Sequence, residues 1–262
     1  MLATARFEGR RRLPASALIA VGLSAFAAMM VFLAPSLLGE VDLAAFVDQY
    51  PPALVDAFDL AAIGTIEGFI ALELYQFVWL LGLGGYVAYS AAGTVAGDIE
   101  DDRLDTLLAA PVSRARVLGE KFLALAVPIV LVNVAVFVAV AAGTRLVNEP
   151  VALVDLLAVH ALSVPYLLCC GAWGMLASVA APRRSVAEGV AAGAVVAGFV
   201  VSTATAGTDV SWLGALSPTR YYDPLAILTA SEYDLGGAAV LTAAAALLLV
   251  AAVVRFRGMD VQ

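Results

Sequence analysis

At 262 residues, 63% hydrophobic and only 14% charged, the chain falls outside the composition of soluble globular domains. A mean hydropathy of +0.96 calls for a bilayer as solvent, and a formal net charge of −8 excludes the basic footprint of a nucleic-acid-binding protein. The apolar runs do not alternate in polarity, so they predict an all-α integral membrane protein rather than a barrel.

The basic stretch RFEGRRR precedes the apolar run ALIAVGLSAFAAMMVFLAPSLL. That run is longer than the core of a cleavable signal peptide, and it reads as an anchor that stays. Runs of the ~20 residues needed to cross a ~30 Å hydrocarbon core predict six spans, at 17–38, 74–97, 122–143, 152–181, 186–207 and 236–254. Between the first two, residues 39–73 carry Glu40, Asp42, Asp48, Asp56, Asp59, Glu67 and Glu73 without a basic residue. These acids read as a solvated face or as a vestibule that recruits cations. The helical spacing over 53–75 predicts a surface or re-entrant helix feeding span 2.

Span 2 places Tyr75, Trp79, Gly82, Tyr86, Tyr89 and Gly93 at three- and four-residue steps, so a regular α-helix gathers them on one stripe. Interface-belt aromatics, a face for a partner protomer and a substrate path all fit that pattern. Gly93 with Gly97, and Gly189 with Gly193, are small-residue steps that allow close helix approach, within one subunit or across a dimer.

After span 2 comes GDIEDDRLDTLLAAPVSRARVLGEK, residues 97–121, where an otherwise charge-poor chain concentrates its charge. Leu104, Leu107 and Leu108 fall on one helical face, and Asp101, Asp102 and Asp105 crowd the first turn. Pro111 ends that helix and Ser113 is placed to cap the next one. The segment reads as a helical elbow at the headgroup level.

Span 4 is long enough to tilt, bend or break at Pro165. The connector PRRS separates it from span 5, because two arginines at mid-bilayer would cost about 2.5–3.5 kcal/mol each. Cys169 and Cys170 are adjacent in an apolar run and read as packing residues. His160 and Asp155 are the one pair an intramembrane enzyme could use, but packing or hydrogen bonding is the commoner use of a lone histidine. No phosphate-cradling glycine loop, metal motif or nucleophile elbow is present.

Of the fourteen basic residues, Arg145 and Arg220 alone fall on the side opposite the elbow. Arg6, Arg10, Arg11, Arg12, Arg103, Arg114, Arg116, Lys121, Arg183, Arg184, Arg255 and Arg257 share its side. The positive-inside rule then places both termini and the elbow in the cytoplasm of a multi-pass plasma-membrane protein. The acidic balance with one lysine is similar to the proteins of salt-loving archaea.

The elbow also carries a resemblance. Leu104, Asp105, Leu107, Leu108, Pro111, Val112, Ser113 and Arg114, then Gly119 and Lys121, resemble the signature between the second and third spans of type-2, exporter-like ABC transporter permeases. Asp102 and Arg103 stand where that pattern has Gly-Thr, and Glu120 is inserted between its Gly and Lys. The LSPTRYYDPL stretch and the terminal RFRGMDV are similar to the family's layout. The resemblance implies a cytoplasmic coupling helix formed by Asp101 to Arg114 and an interfacial helix ahead of span 1. It further implies a separate ATP-binding subunit holding ATP and Mg, a second permease copy or paralogue, and lipid contacts. By that implication the chain is one permease domain without cofactor or catalysis of its own. A membrane scaffold or assembly factor shares the topology and is the alternative.

Overall fold

The computed structural model describes residues 3–40, 64–104 and 112–259. Among them there is helix and no strand, and six helices are long and apolar enough to cross a bilayer. They are span 1 (Thr4–Gly39), span 2 (Ile66–Glu100), span 3 (Arg114–Leu146), span 4 (Leu153–Ala180), span 5 (Arg184–Thr205) and span 6 (Leu235–Arg257). Each expected apolar run overlaps one of them, those at 152–181 and 186–207 overshooting their helices by one or two residues, and spans 4 and 5 are separated by residues 181–183, at the expected PRRS turn.

Spans 1, 2, 3 and 6 are longer than the runs that betray them. Span 1 has 36 residues; at 1.5 Å each it is about 54 Å long against a ~30 Å core. The interfacial segment expected ahead of it is therefore the first turns of the same helix, unbroken through Pro14. Span 3 is interrupted at Ala124 and Leu125 between helices Arg114–Leu123 and Ala126–Leu146. Pro128 supplies the reason, since it has no N–H to give the carbonyl four residues back. Span 4 passes through Pro165 without a break.

Span 2 holds an irregularity that the residue pattern did not announce. Thr65 caps its start by accepting from Gly68 N at 3.1 Å, and the backbone then runs as a π-helix over Ala71–Leu83 before returning to α at Gly84–Glu100. Wider i→i+5 turns leave backbone groups short of regular partners. The buried Tyr166 hydroxyl donates to the Leu80 carbonyl at 2.8 Å and serves one of them.

Span 4 is the centre of the bundle. Spans 2 and 6 pack along it most extensively, span 1 packs on span 3, and span 5 lies against spans 2 and 4. Spans 2 and 4 cross closely at Gly174, where a Cβ would run into the Ala88 carbonyl. Ser178 reinforces the crossing by accepting from Val95 N at 2.9 Å and Ala96 N at 3.0 Å. Beyond span 5 the chain forms two 3-10 turns and the short helix Pro224–Ala230, which Asp223 caps by accepting from Leu225 N and Ala226 N. Of the acidic 39–73 loop, residues 41–63 lie outside the described residues, and the 53–75 helix is seen only from Ile66 onward, as the start of span 2.

Candidate functional site

The single lysine of the chain organises one end of the bundle. Lys121, at the start of span 3, is 1% exposed. Its ammonium lies 2.9 Å from Glu8 of span 1 and 2.6 Å from Asp98 at the end of span 2. Asp98 also lies 3.3 Å from Arg103, whose other guanidinium nitrogen meets Asp101 at 2.5 Å. A buried cation needs compensating charge, and carboxylates from two other spans supply it.

Glu120, the residue inserted relative to the resembling pattern, has a structural use beside this cluster. One of its oxygens accepts from the backbone N–H groups of Thr4 at 2.9 Å and Ala5 at 3.2 Å. The other accepts from Arg116 Nε at 2.8 Å. The first N–H groups of a helix have no partner within it, so a carboxylate there satisfies them and meets the positive helix end. The start of span 1, the end of span 2 and the start of span 3 thus form one ionic knot.

The elbow grows out of this knot. Asp102 has φ 53°, a left-handed conformation in which glycine is the usual occupant and Asp among the better-tolerated alternatives. It stands where the resembling pattern has Gly, so the departure keeps the backbone turn that ends span 2. Leu104 is buried at 1% exposure. Ser113 caps span 3, accepting from Arg116 N at 3.3 Å. Asp105, Leu107, Leu108 and Pro111 lie outside the described residues.

Arg114 is engaged within the chain. It donates to the carbonyls of Phe256 at 3.1 Å and Met259, and its guanidinium lies 5.7 Å from the centre of the Phe256 ring. It therefore closes the C-terminal end of span 6, where helix carbonyls lack partners. These contacts, with Arg184 N donating to Glu100 at 2.7 Å, put the start of span 1, the elbow, the PRRS connector and the end of span 6 at the same end of the molecule.

The six residues of the span 2 stripe do not share a surface. Tyr75 and Trp79 are fully buried, Gly82 is exposed, Tyr86 is half-buried and Tyr89 is 45% exposed. Gly93 packs against Glu188 and Arg184 of span 5, as Gly97 does against Arg184. The stripe assumes α periodicity from residue 75 to 93, and the π-helical turns over Ala71–Leu83 rotate its first members away from the rest. Gly93 and Gly97 serve contacts within the chain, whereas Gly189 and Gly193 meet nothing within 4 Å.

Tyr75 instead joins a closed polar network. Its hydroxyl lies 3.0 Å from His160 Nε2, and His160 Nδ1 lies 3.1 Å from the side-chain oxygen of Asn133. Asn133 gives its amide hydrogen to the Ile129 carbonyl, which leaves that oxygen as acceptor. His160 therefore carries its proton on Nδ1 and accepts from Tyr75 through Nε2. The rings of Trp79 and Phe137 stand edge-on to it, centred 5.1 and 5.8 Å away. Asp155 is elsewhere, at the opposite end from the knot, accepting from the hydroxyls of Tyr233 and Ser231. Five residues on an α-helix turn through about 140°, so Asp155 and His160 do not share a face. The hydrogen bond to Asp155 holds the Tyr233 phenol above its ordinary range.

A second feature lies beside the bundle axis. A cavity of about 790 Å³ opens between spans 5 and 6, with span 4 as its floor. Tyr166, Cys169, Cys170 and Trp173 line the floor, and Gly198 and Ala244 stand on the walls. Its surface is almost wholly apolar, and Cys169 and Cys170 are free thiols that form part of it. Sequence reasoning missed it because alanine, valine and leucine at a lining position look the same as at a lipid-facing one.

The match to a known family covers most of this assembly. Residues 11–257 match the family described as multidrug efflux system permease Rv1217c, C-terminal domain. The chain belongs to that family. It is a multi-pass membrane permease, with spans 2 to 6 and all but the first turns of span 1 inside the matched region and with Asp98, Arg103 and Lys121 of the knot included. No curated protein matches it.

Proposed function

We propose that this permease is the membrane subunit of an ATP-driven exporter of the type-2 ABC class, that a separate ATP-binding subunit holding ATP and Mg docks on its elbow, and that its cargo is apolar or amphipathic. The observation that carries the reading is the ionic knot. An element that transmits force from a soluble partner has to move as a rigid body, and Lys121 with Glu8 and Asp98 ties the elbow's two ends to three spans at once. The exposed carboxylates of Asp101 and Asp102 supply the outward charge by which a water-soluble partner is steered and registered. The crowding of basic residues at this end favours the cytoplasm as its compartment.

The cargo class rests on the groove between spans 5 and 6 and on the family's name. Its volume of about 790 Å³ lies in the ~300–1,000 Å³ range of pockets that take drug-sized ligands. Pairing with a second permease copy or a paralogue is favoured by the open small-residue step at Gly189 and Gly193.

Co-expression with the cognate ATPase tests the proposal. The expected result is a membrane complex whose ATP hydrolysis drives accumulation of a fluorescent hydrophobic dye in inverted vesicles. Asp101→Lys, Asp102→Lys and Asp105→Lys together should abolish the complex or the transport while the permease still inserts. A wild-type permease that binds no ATPase, or a triple variant that transports normally, overturns it. Arg114 is left out of that set because it holds the end of span 6.

A further inference from the structure

At the knot's end of the bundle, a polar cavity of about 300 Å³ lies between spans 1, 2 and 5. Arg11, Arg12, Arg103 and Arg184 all line it. Its carboxylates already hold cations: Glu8 holds Lys121, Asp98 holds Lys121 and Arg103, and Glu188 holds Arg184 at 2.7 Å. Arg11 and Arg12 make no ion pair among the described residues. The four arginines outnumber the three carboxylates lining the cavity, and Glu8 and Asp98 are shared with Lys121, so the cavity carries an excess of positive charge.

Arg12 is the more telling of the two. Its guanidinium donates to the Ser90 hydroxyl and, at 3.5 Å, to the Ser90 carbonyl, both neutral acceptors. Its Nε is buried and has no hydrogen-bond partner. A buried N–H on a charged group without an acceptor is costly, and an anion relieves the cost by taking two parallel bonds from the planar fork. The Tyr86 side chain lines the same space.

Position selects the anion. Arg103 follows the last residue of span 2 and Arg184 is the first of span 5, so the mouth of the cavity lies where helices leave the bilayer. Phosphate diesters are the anions concentrated at that level, and basic pockets between spans on the cytoplasmic side take lipid headgroups. We propose that this cavity binds the phosphate of an anionic lipid headgroup, with Arg12 and Arg11 as its principal ligands and Ser90 positioning Arg12. The proposal does not depend on an ATPase partner.

The test uses the full chain in nanodiscs of phosphatidylcholine, with or without phosphatidylglycerol, followed by native mass spectrometry of the lipids that remain bound. Wild-type permease should retain phosphatidylglycerol in preference to phosphatidylcholine. The double variant Arg11→Gln, Arg12→Gln should lose that preference by about tenfold or more. Ser90→Ala should weaken it while keeping both charges, and Arg6→Gln, which does not line the cavity, should leave it unchanged. A melting temperature within a few degrees of wild type in phosphatidylcholine alone separates lost binding from misfolding. No preference in the wild type, or an equal preference in the double variant, overturns the proposal. Displacement of the lipid by millimolar inorganic phosphate assigns the site to a free anion and overturns its lipid part.

Discussion

The two ends of this permease's chemistry differ in how they are held. The knot around Lys121 binds three spans through buried charges, while the groove between spans 5 and 6 presents an almost wholly apolar surface. Charge pairs in low dielectric tolerate little displacement, because separation leaves a buried ion uncompensated. Apolar walls can slide and refill at small cost. Under the proposed function, the knot would convey a push and the groove would accept variable cargo, in separate parts of the fold.

The sharpest way to break this comparison is Lys121→Met, which leaves Glu8 and Asp98 buried without their shared cation. Stability in detergent should fall by about 3–5 kcal/mol. A triple variant that adds Glu8→Gln and Asp98→Asn should recover a large part of it, and an unchanged melting temperature for Lys121→Met would show that the knot does not hold the spans together. His160→Ala comes next, since it strips partners from Tyr75 and Asn133 and opens a void against Trp79. A loss of about 2–3 kcal/mol is expected, measured as a shift in melting temperature. Transport per folded molecule should persist, because the network is closed; abolished transport in a folded variant would give His160 a chemical role.

Ala244→Trp probes the other side of the comparison by filling the groove. The dye's apparent affinity should weaken about tenfold while stability stays within about 1 kcal/mol of wild type. Equal affinity would place the cargo path elsewhere. The smallest effect belongs to Asp102→Gly, which removes the left-handed strain at the end of span 2. A gain of about 1 kcal/mol in thermal unfolding is expected, with Asp102→Val shifted the opposite way.

How much of this was legible varies with the range of the interactions involved. The spans were visible because a bilayer imposes a length and a polarity on each segment separately. Ser113 was visible as a cap because its partner lies three residues away. Glu120 looked like a mere insertion, and Arg114 like a surface charge, because their partners lie 116 and 145 residues distant in the chain. The aromatic stripe of span 2 misled for a subtler reason. Its spacing is regular, but the periodicity that converts spacing into a face is not constant through a π-helix.

By itself, then, the amino-acid sequence determined an all-helical membrane protein of six spans, the end at which its basic residues gather, and the Ser113 cap that starts span 3. Each of these depends on a residue and its near neighbours, or on the solvent. Only the tertiary structure decided that Lys121 is the shared counter-ion of spans 1 and 2, that His160 is enclosed by Tyr75 and Asn133, and that spans 5 and 6 stand apart over span 4 to leave a groove. Those outcomes depend on which helix faces cross, and apolar residues that look alike along the chain become lining, core or lipid-facing surface only when the neighbouring helix is in place.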